Sequence, residues 1–547
     1  MTSPSSSRWP NTAIVVTMIL GLVVLLVGGL AVVAAVRTSQ LNEQLVAARS
    51  DLDEAEGKIA DLEAELADVQ SGAAEGGSPL GDLLGGSGTG ELGIDDLLGL
   101  LGGDAQDLGG LEDLLGALLG GESGDPGSLG DLLGGLDQSG GLGSCLSAGS
   151  YQVADASLQA QVDDIAVAVE EIRGLTFPSE IEPLFVSPAE MAERVRDLVE
   201  ESYPPAVEDF DTRLLVALGM IAPGYDLMSA QLDLLDTGVA GYYDPETSEL
   251  VVATPDVDQP LAAVDQITLA HEMIHALTDA TLGIPESIED PNADPEIIRA
   301  QQALIEGDAT LGMQQFSLGA LGLDEQLSML TDPRVLGAHH EAGEFPYVLS
   351  NGLQLPYLEG MNFSCALYAA GGWDAVDAAY DDPPTNTSQI LFPERYMIDR
   401  VAAVDPGPVG DPGGDWEHLR QAGFGAVDLL MLFSAPGDHP GASLTDPRER
   451  ARGWAGGRVD VWSRGEDTVA GIGLVDNGEG FESLCSSMVT WELAAFPGYE
   501  DQPLRGVEQL AHSSDDRAAV IVCDGSEVRI GIGPDLDTSR SVAAGRS

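Results

Sequence analysis

The sequence predicts an α+β protein. A mainly helical domain with a small edge sheet spans residues 151–455, an α+β C-terminal portion spans 456–535, and a membrane-spanning helix, a coiled coil and a flexible linker precede them. Three observations support this. A long apolar run stands near the N-terminus, an a/d seam and a Gly/Leu/Asp-rich tract follow it, and only beyond about residue 150 do the periodicities of a packed chain begin. At 547 residues the chain is long enough for a sizeable core and more than one domain. Its formal charge of −68, from 91 acidic and 23 basic residues with Lys58 as the only lysine, argues against nucleic acid as a partner, because phosphates would be repelled. Acidity of this kind keeps a chain soluble, sometimes in high salt.

A short head, residues 1–12, precedes an almost uninterrupted apolar stretch over 13–36, flanked by Arg8 and Arg37. That length spans a bilayer as a helix. Ala34 and Ala35 leave a cleaved signal peptide as the alternative, but the run is long for a signal core. We expect an uncleaved single-pass anchor in the cell membrane, a cytoplasmic head and an exported body. Next, Leu41, Leu45, Ala48, Leu52, Ala55, Ile59, Leu62, Leu66 and Val69 recur at alternating steps of four and three. Such a seam over 38–70 predicts a coiled coil and self-association, or else one amphipathic helix packed on the body.

Residues 71–150 repeat a Leu-Leu-Gly unit, as in Leu80–Gly86, Ile94–Leu100, Leu111–Ala117 and Leu129–Gly135. Their glycines make a stable helix costly, so a flexible linker is expected, with short leucine clusters that could serve as partner motifs. Helical patterns then cover Leu158–Arg173, Pro188–Glu201 and Phe210–Met220, and a strand, turn and strand run from Ala240 to Ala253. Strands at Val459–Trp462, Ala519–Val522 and Glu527–Ile530 surround a helix near Cys485–Ala495 in the C-terminal portion, and residues 536–547 read as a disordered tail. Four cysteines without a CxxC pair argue against a thiolate zinc site. Two disulfides, with Cys485–Cys523 as the first candidate pair, or four buried thiols remain open.

His271-Glu272-Met273-Ile274-His275 carries the chemistry. Residues four apart share one face of a helix, so both imidazoles can reach one ion while Glu272 stands beside its open side. A catalytic zinc takes three protein ligands and one exchangeable water, and Glu306 would complete a His, His, Glu set. The His helix has a start signal at Asp258 with Pro260 in its first turn and a stop at Gly283; the helix of Glu306 starts at Asp294-Pro295-Glu296. Glu306 and Asp308 lie within an apolar pattern where a carboxylate is costly to bury without a cation or hydrogen bonds, and Gly307 would let the two helices approach. Zinc lowers the pKa of bound water toward about 7, Glu272 acts as general base, and peptide hydrolysis suits this set.

His271–Asp279 resembles the helix of thermolysin-like gluzincin zinc metallopeptidases, in which a Glu from a following helix is the third ligand. Glu306–Leu311, Pro356–Phe363 and Gly371–Tyr380 with Pro383-Pro384 are similar to a group of largely uncharacterised exported prokaryotic proteins described as metallopeptidases. The resemblance covers about residues 240–400. It implies a zincin-like fold, ligand roles for His271, His275 and Glu306, and the base role for Glu272. In that group a His is expected where this chain has Phe392, and the spacing from Glu306 to Asp308 departs from thermolysin's motif.

Several further residues are candidates. Tyr357 could stabilise the oxyanion, or be a buried structural tyrosine; His339-His340-Glu341 could supply a donor or second metal site, or a surface loop. Asp279 could orient an imidazole, or be a solvated helix-end acid. Tyr242-Tyr243 and Val251-Val252 could receive an extended peptide by strand addition. Asp405, Asp411 and Asp415 could bind calcium, but lack the spacing of an EF-hand loop. The functional expectation is a membrane-anchored extracytoplasmic zinc metallopeptidase acting on a peptide or protein substrate; the alternative is a non-catalytic cell-envelope scaffold or adhesion protein.

Overall fold

Most helices begin and end on signals that the sequence carries. The computed structural model describes residues 145–545, apart from 147–148, 155–156, 257–258, 291–292, 331, 333 and 335–344. The expected head, anchor and coiled coil, the linker up to residue 144, and His339-His340-Glu341 lie outside the described residues. Among the described residues no helix is long and apolar enough to cross a membrane. The body begins earlier than the expected linker end at 150, because Cys145 is fully buried and disulfide-bonded to Cys365.

Helix α1 (Leu158–Arg173) is capped by Ser157, whose side chain accepts from Ala160 N, and stops at Gly174 in a left-handed conformation. Strand β1 (Leu184–Val186), α2 (Pro188–Ser202), α3 (Pro205–Ala217) and α4 (Leu227–Gly238) follow. Helix α3 starts five residues before the expected Phe210 because Pro205 is pre-set for a first turn. Then β2 (Gly241–Asp244) and β3 (Glu249–Ala253) pair antiparallel, with β1 parallel on the far side of β3, so β2 is an edge.

Helix α5 (Ala263–Leu282) carries the histidines and ends at Gly283. It starts five residues later than the Asp258 signal suggests. Leu261 N–H donates to the buried Gln161 Oε1 on α1, which holds the chain extended up to Ala262. From Ala263 to Thr278 every residue of α5 is buried, so it is a central helix rather than one with a single apolar stripe. Helix α6 (Pro295–Ala320) begins as expected, with Asp294 accepting from Glu296 N and Pro295 in the first turn. Next come α7 (Leu323–Leu330), α8 (Tyr347–Gly371) and α9 (Trp373–Asp381).

The remainder is built on a seven-stranded antiparallel sheet of β4 (Glu417–Gly423), β5 (Trp454–Arg464), β6 (Asp467–Asp476), β7 (Glu500–Asp501), β8 (Glu508–Ser513), β9 (Ala518–Asp524) and β10 (Glu527–Gly533). Its order is β4-β5-β6-β10-β9-β8-β7. Helices α10 (Ala426–Ser434) and α11 (Leu484–Ala495) cover one face, and the Cys485–Cys523 disulfide ties α11 to β9 as expected. The division at residue 455 does not hold: β4 comes from before it, and one core joins Phe210 and Leu218 of the α3 region to Val461, Ile521 and Ile530 of the sheet. Of the tail expected to be disordered over 536–547, residues 536–543 are ordered. Residues Leu536–Ala543 form α12, whose Val542 and Ala543 cover Val469 and Val520 on the second sheet face.

Helix α6 crosses α8 backbone to backbone. A Cβ on Gly307 would stand 2.1 Å from the carbonyl of Gly360, and one on Gly360 would stand 2.0 Å from Ala303 O. Gly307 therefore serves the α6–α8 contact, not the expected approach to the His helix; Gly312, whose Cβ would meet Ile274 Cδ1 at 2.6 Å, serves that one. Alanine at either crossing position gains up to about 1 kcal/mol of helix propensity but is expected to lose about 3 kcal/mol by overpacking. Denaturant unfolding of Gly307→Ala and Gly360→Ala should show net destabilisation, whereas Gly352→Ala, on the open side of α8, should be neutral or stabilising.

Candidate metal centre

Three helices converge on the sequence-predicted ligands. His271 and His275 stand one turn apart on α5, Glu306 reaches them from α6, and Tyr357 closes the group from α8. His271 Nε2 lies 3.0 Å from His275 Nε2, and Glu306 Oε2 lies 3.3 Å and 3.4 Å from the two. A tetrahedral ion holding its ligands at about 2.0–2.1 Å sets any two ligand atoms about 3.3 Å apart. The triangle fits zinc closely. Among the described residues this is the one group of three or more His, Cys, Asp or Glu side chains arranged to hold a metal.

The charge environment points the same way. Eight acids are buried among the described residues: Asp265, Glu272, Glu296, Glu306, Asp308, Glu359, Asp460 and Glu492. Six have an arginine, namely Arg334, Arg299, Arg173, Arg448, Arg458 and Arg517 for Asp265, Glu296, Asp308, Glu359, Asp460 and Glu492. Glu272 and Glu306 have none. An uncompensated buried carboxylate is costly, and a divalent cation within the triangle would offset both.

Burial pushes the His271 imidazole down to about 4, helped by neighbouring His275 and opposed by Glu306. Burial likewise takes His275 down to about 4, against the charges of Asp308 and Asp279. Both rings are therefore neutral lone-pair donors at physiological pH. Glu306 is pushed up to about 7 by burial, against contacts from His271 and the Tyr357 hydroxyl. Glu272 is raised well above the usual carboxylate range by burial and then by Glu306, and the backbone N–H of Tyr243 is its one weak donor.

Strand β2 presses on the helix at this point. A Cβ on Gly241 would meet Thr268 Cγ2 at 2.8 Å and Glu272 Cγ at 3.1 Å, so the edge strand runs against Glu272. The Tyr243 hydroxyl donates to Asp279 Oδ2 at 2.8 Å. Asp279 is thus engaged with β2 rather than with an imidazole N–H, and the Nδ1 atoms of both histidines are buried without a hydrogen-bond partner.

Tyr357 is fully buried, its ring centroid 6.0 Å from that of His271, and its hydroxyl bears on Glu306. Phe392 is a core residue with Arg452 and Arg395 over its ring. Asp405 and Asp411 accept from the backbone N–H of Gly407 and Gly413, and Asp415 faces Arg464; they form no common cluster.

Sequence inspection missed Arg173. It pairs with both Asp308 and Asp377, and Tyr380 donates to Asp308, so the segment Gly371–Tyr380 folds back onto the helix of Glu306. The only signal was a lone basic residue ending an apolar helix. Comparison with protein-family models, with curated proteins and with solved structures gives no match for this chain.

Metal uptake should depend on pH with a sign set by the acid. Below its pKa of about 7, Glu306 holds a proton in the metal-free protein while both imidazoles, at about 4, do not. Binding zinc then expels that proton, so affinity rises with pH and flattens above about 7. Calorimetric titration in buffers of different ionisation enthalpy should read more protons released near pH ~6 than near pH ~8. Equal release at both would exclude Glu306 as the titrating ligand.

Proposed function

We propose that this chain is a zinc-dependent metallopeptidase of the gluzincin type, with His271, His275 and Glu306 as metal ligands and Glu272 as general base. The observation that carries it is Glu272: a buried carboxylate beside a three-donor triangle, with neither an arginine partner nor a well-formed hydrogen bond to give it a structural use. Bound zinc would supply a Lewis acid that makes water a nucleophile near neutral pH and polarises a carbonyl. Glu272 takes the proton of the attacking water and passes it to the leaving amine. Tyr357, whose hydroxyl contacts Glu306, would turn its O–H from that carboxylate to a developing oxyanion. Edge strand β2 offers backbone groups to an extended peptide beside Glu272.

In this proposal the apolar segment 13–36 anchors the protein in the cell membrane, residues 38–70 join copies in a coiled coil, and 71–144 tether a zincin-like body outside. Two disulfides support an oxidising compartment. One observation favours a second function, that of a cell-envelope scaffold with a structural ion. His271, Glu272, His275, Glu306 and Tyr357 are all at most 2 % exposed, so peptide cleavage requires part of the surround to move.

A deciding experiment compares full-length protein with Glu272→Gln for bound zinc and for cleavage of a peptide library. The expected outcome is near-stoichiometric zinc in both and a loss of turnover of about 100-fold or more in the variant. Zinc in both with equal, negligible cleavage would leave the scaffold.

A further inference from the structure

Three consecutive residues of α6 face three different neighbours. Glu306 meets the histidines of α5, Gly307 meets the backbone of α8, and Asp308 meets Arg173 at the end of α1. At 3.6 residues per turn, Glu306 and Asp308 leave the helix about 200° apart, so a grip on one sets the direction of the other. Arg173 provides that grip through Nη2, which bridges two carboxylates. Nη2 donates to Asp308 Oδ2 at 3.0 Å, while Nε approaches Asp308 Oδ1 at 3.0 Å as an ion contact without a hydrogen bond. The same Nη2 donates to Asp377 Oδ1 at 2.7 Å, and the guanidinium stacks on Trp373 at 4.0 Å, both on α9. The Tyr380 hydroxyl adds a bond to Asp308 Oδ2 at 2.8 Å.

Arg173 is 1 % exposed, and its stem runs past the α5–α6 crossing, where a Cβ on Gly312 would meet both Ile274 and Arg173 Cδ. A buried cation at this depth survives only because two carboxylates face it. A rigid planar guanidinium held between two carboxylates and stacked on an indole fixes orientation in a way that an ammonium does not.

We propose that Arg173 is a positioning residue for the metal centre. By clamping Asp308 to α9 where α1, α5 and α6 meet, it fixes the rotation of α6 that brings Glu306 to His271 and His275. This rests on those three residues holding zinc, as proposed above, and not on peptide hydrolysis.

The test uses the full chain as wild type, Arg173→Gln, Arg173→Lys and Tyr380→Phe. Zinc affinity is read by competition with a chromophoric chelator, and site geometry by the visible absorption of bound cobalt. We expect Arg173→Gln to bind zinc about 10–100-fold more weakly with altered cobalt bands, Arg173→Lys to recover part of the loss, and Tyr380→Phe to shift both readouts less in the same direction. If the Arg173 variants do not fold, Tyr380→Phe and Asp377→Asn, each removing one contact of the clamp, carry the same expectation at smaller size. Zinc affinity within about twofold of wild type and unchanged cobalt bands, with only the melting temperature lowered, would make Arg173 structural and overturn the proposal. Wild type that binds no zinc overturns this proposal and the metal reading together. Wild type that binds zinc and cleaves nothing overturns hydrolysis alone and leaves the Arg173 result standing.

Discussion

Helix α6 is the member on which the rest of this structure depends, and its crossing with α8 is the tightest constraint upon it. Ala309, Met313 and Phe316 belong to the core shared with α1 and α5, while Ala300, Ala303, Leu304 and Ile305 belong to a core shared with α8 and α9. Its first turn is tied to the C-terminal part: Arg299 grips both oxygens of Asp428 at the start of α10, and Glu296 accepts from Thr387 N and Oγ1. With glycine on both sides of the α6–α8 crossing, the axes have no slack to slide or roll. Glu306 inherits its place from that fit.

A second constraint is electrostatic. With so few bases against 91 acids, arginines stand where carboxylates are taken out of water, and long-range repulsion among surface acids is left to solvent and salt. The Glu492 pair illustrates the balance. Burial alone would raise this carboxyl, but Arg517 and a bond with His512 overcome it and hold it below its usual range. Glu272 and Glu306 lack such compensation and move the opposite way. Three carboxyls of one chemical type, equally buried, are thus separated by whether a cation was built in beside them.

Local signals were legible and spatial ones were not. Caps and turns gave α1 its bounds, gave α6 its first residue, and gave the β2–β3 pair its strands, because those signals are carried by neighbours in sequence. The paired histidines were legible for the same reason, since helical spacing converts directly into a shared face, and Glu306 was legible as a carboxylate within an apolar helical pattern. By contrast, the true start of α5 depends on Gln161, a hundred residues upstream, and the role of Gly307 depends on Gly360. Helix α12 read as a tail because its helical signal is weak; a sheet face that needed cover made it a helix. Arg173 was illegible since its partners come from two distant helices.

The Cys145–Cys365 bond closes a covalent circle with a sequence separation of 220. His271, Glu272, His275, Glu306 and Tyr357, together with Arg173, all lie inside that circle, while the apolar segment 13–36 lies outside it. A single proteolytic nick anywhere between the two cysteines therefore cannot separate one half of the candidate centre from the other, and a nick between residue 36 and Cys145 leaves the whole circle in one covalent piece. In the proposed reading, one cut between residue 36 and Cys145 frees the candidate centre from its anchor with every candidate residue still covalently joined.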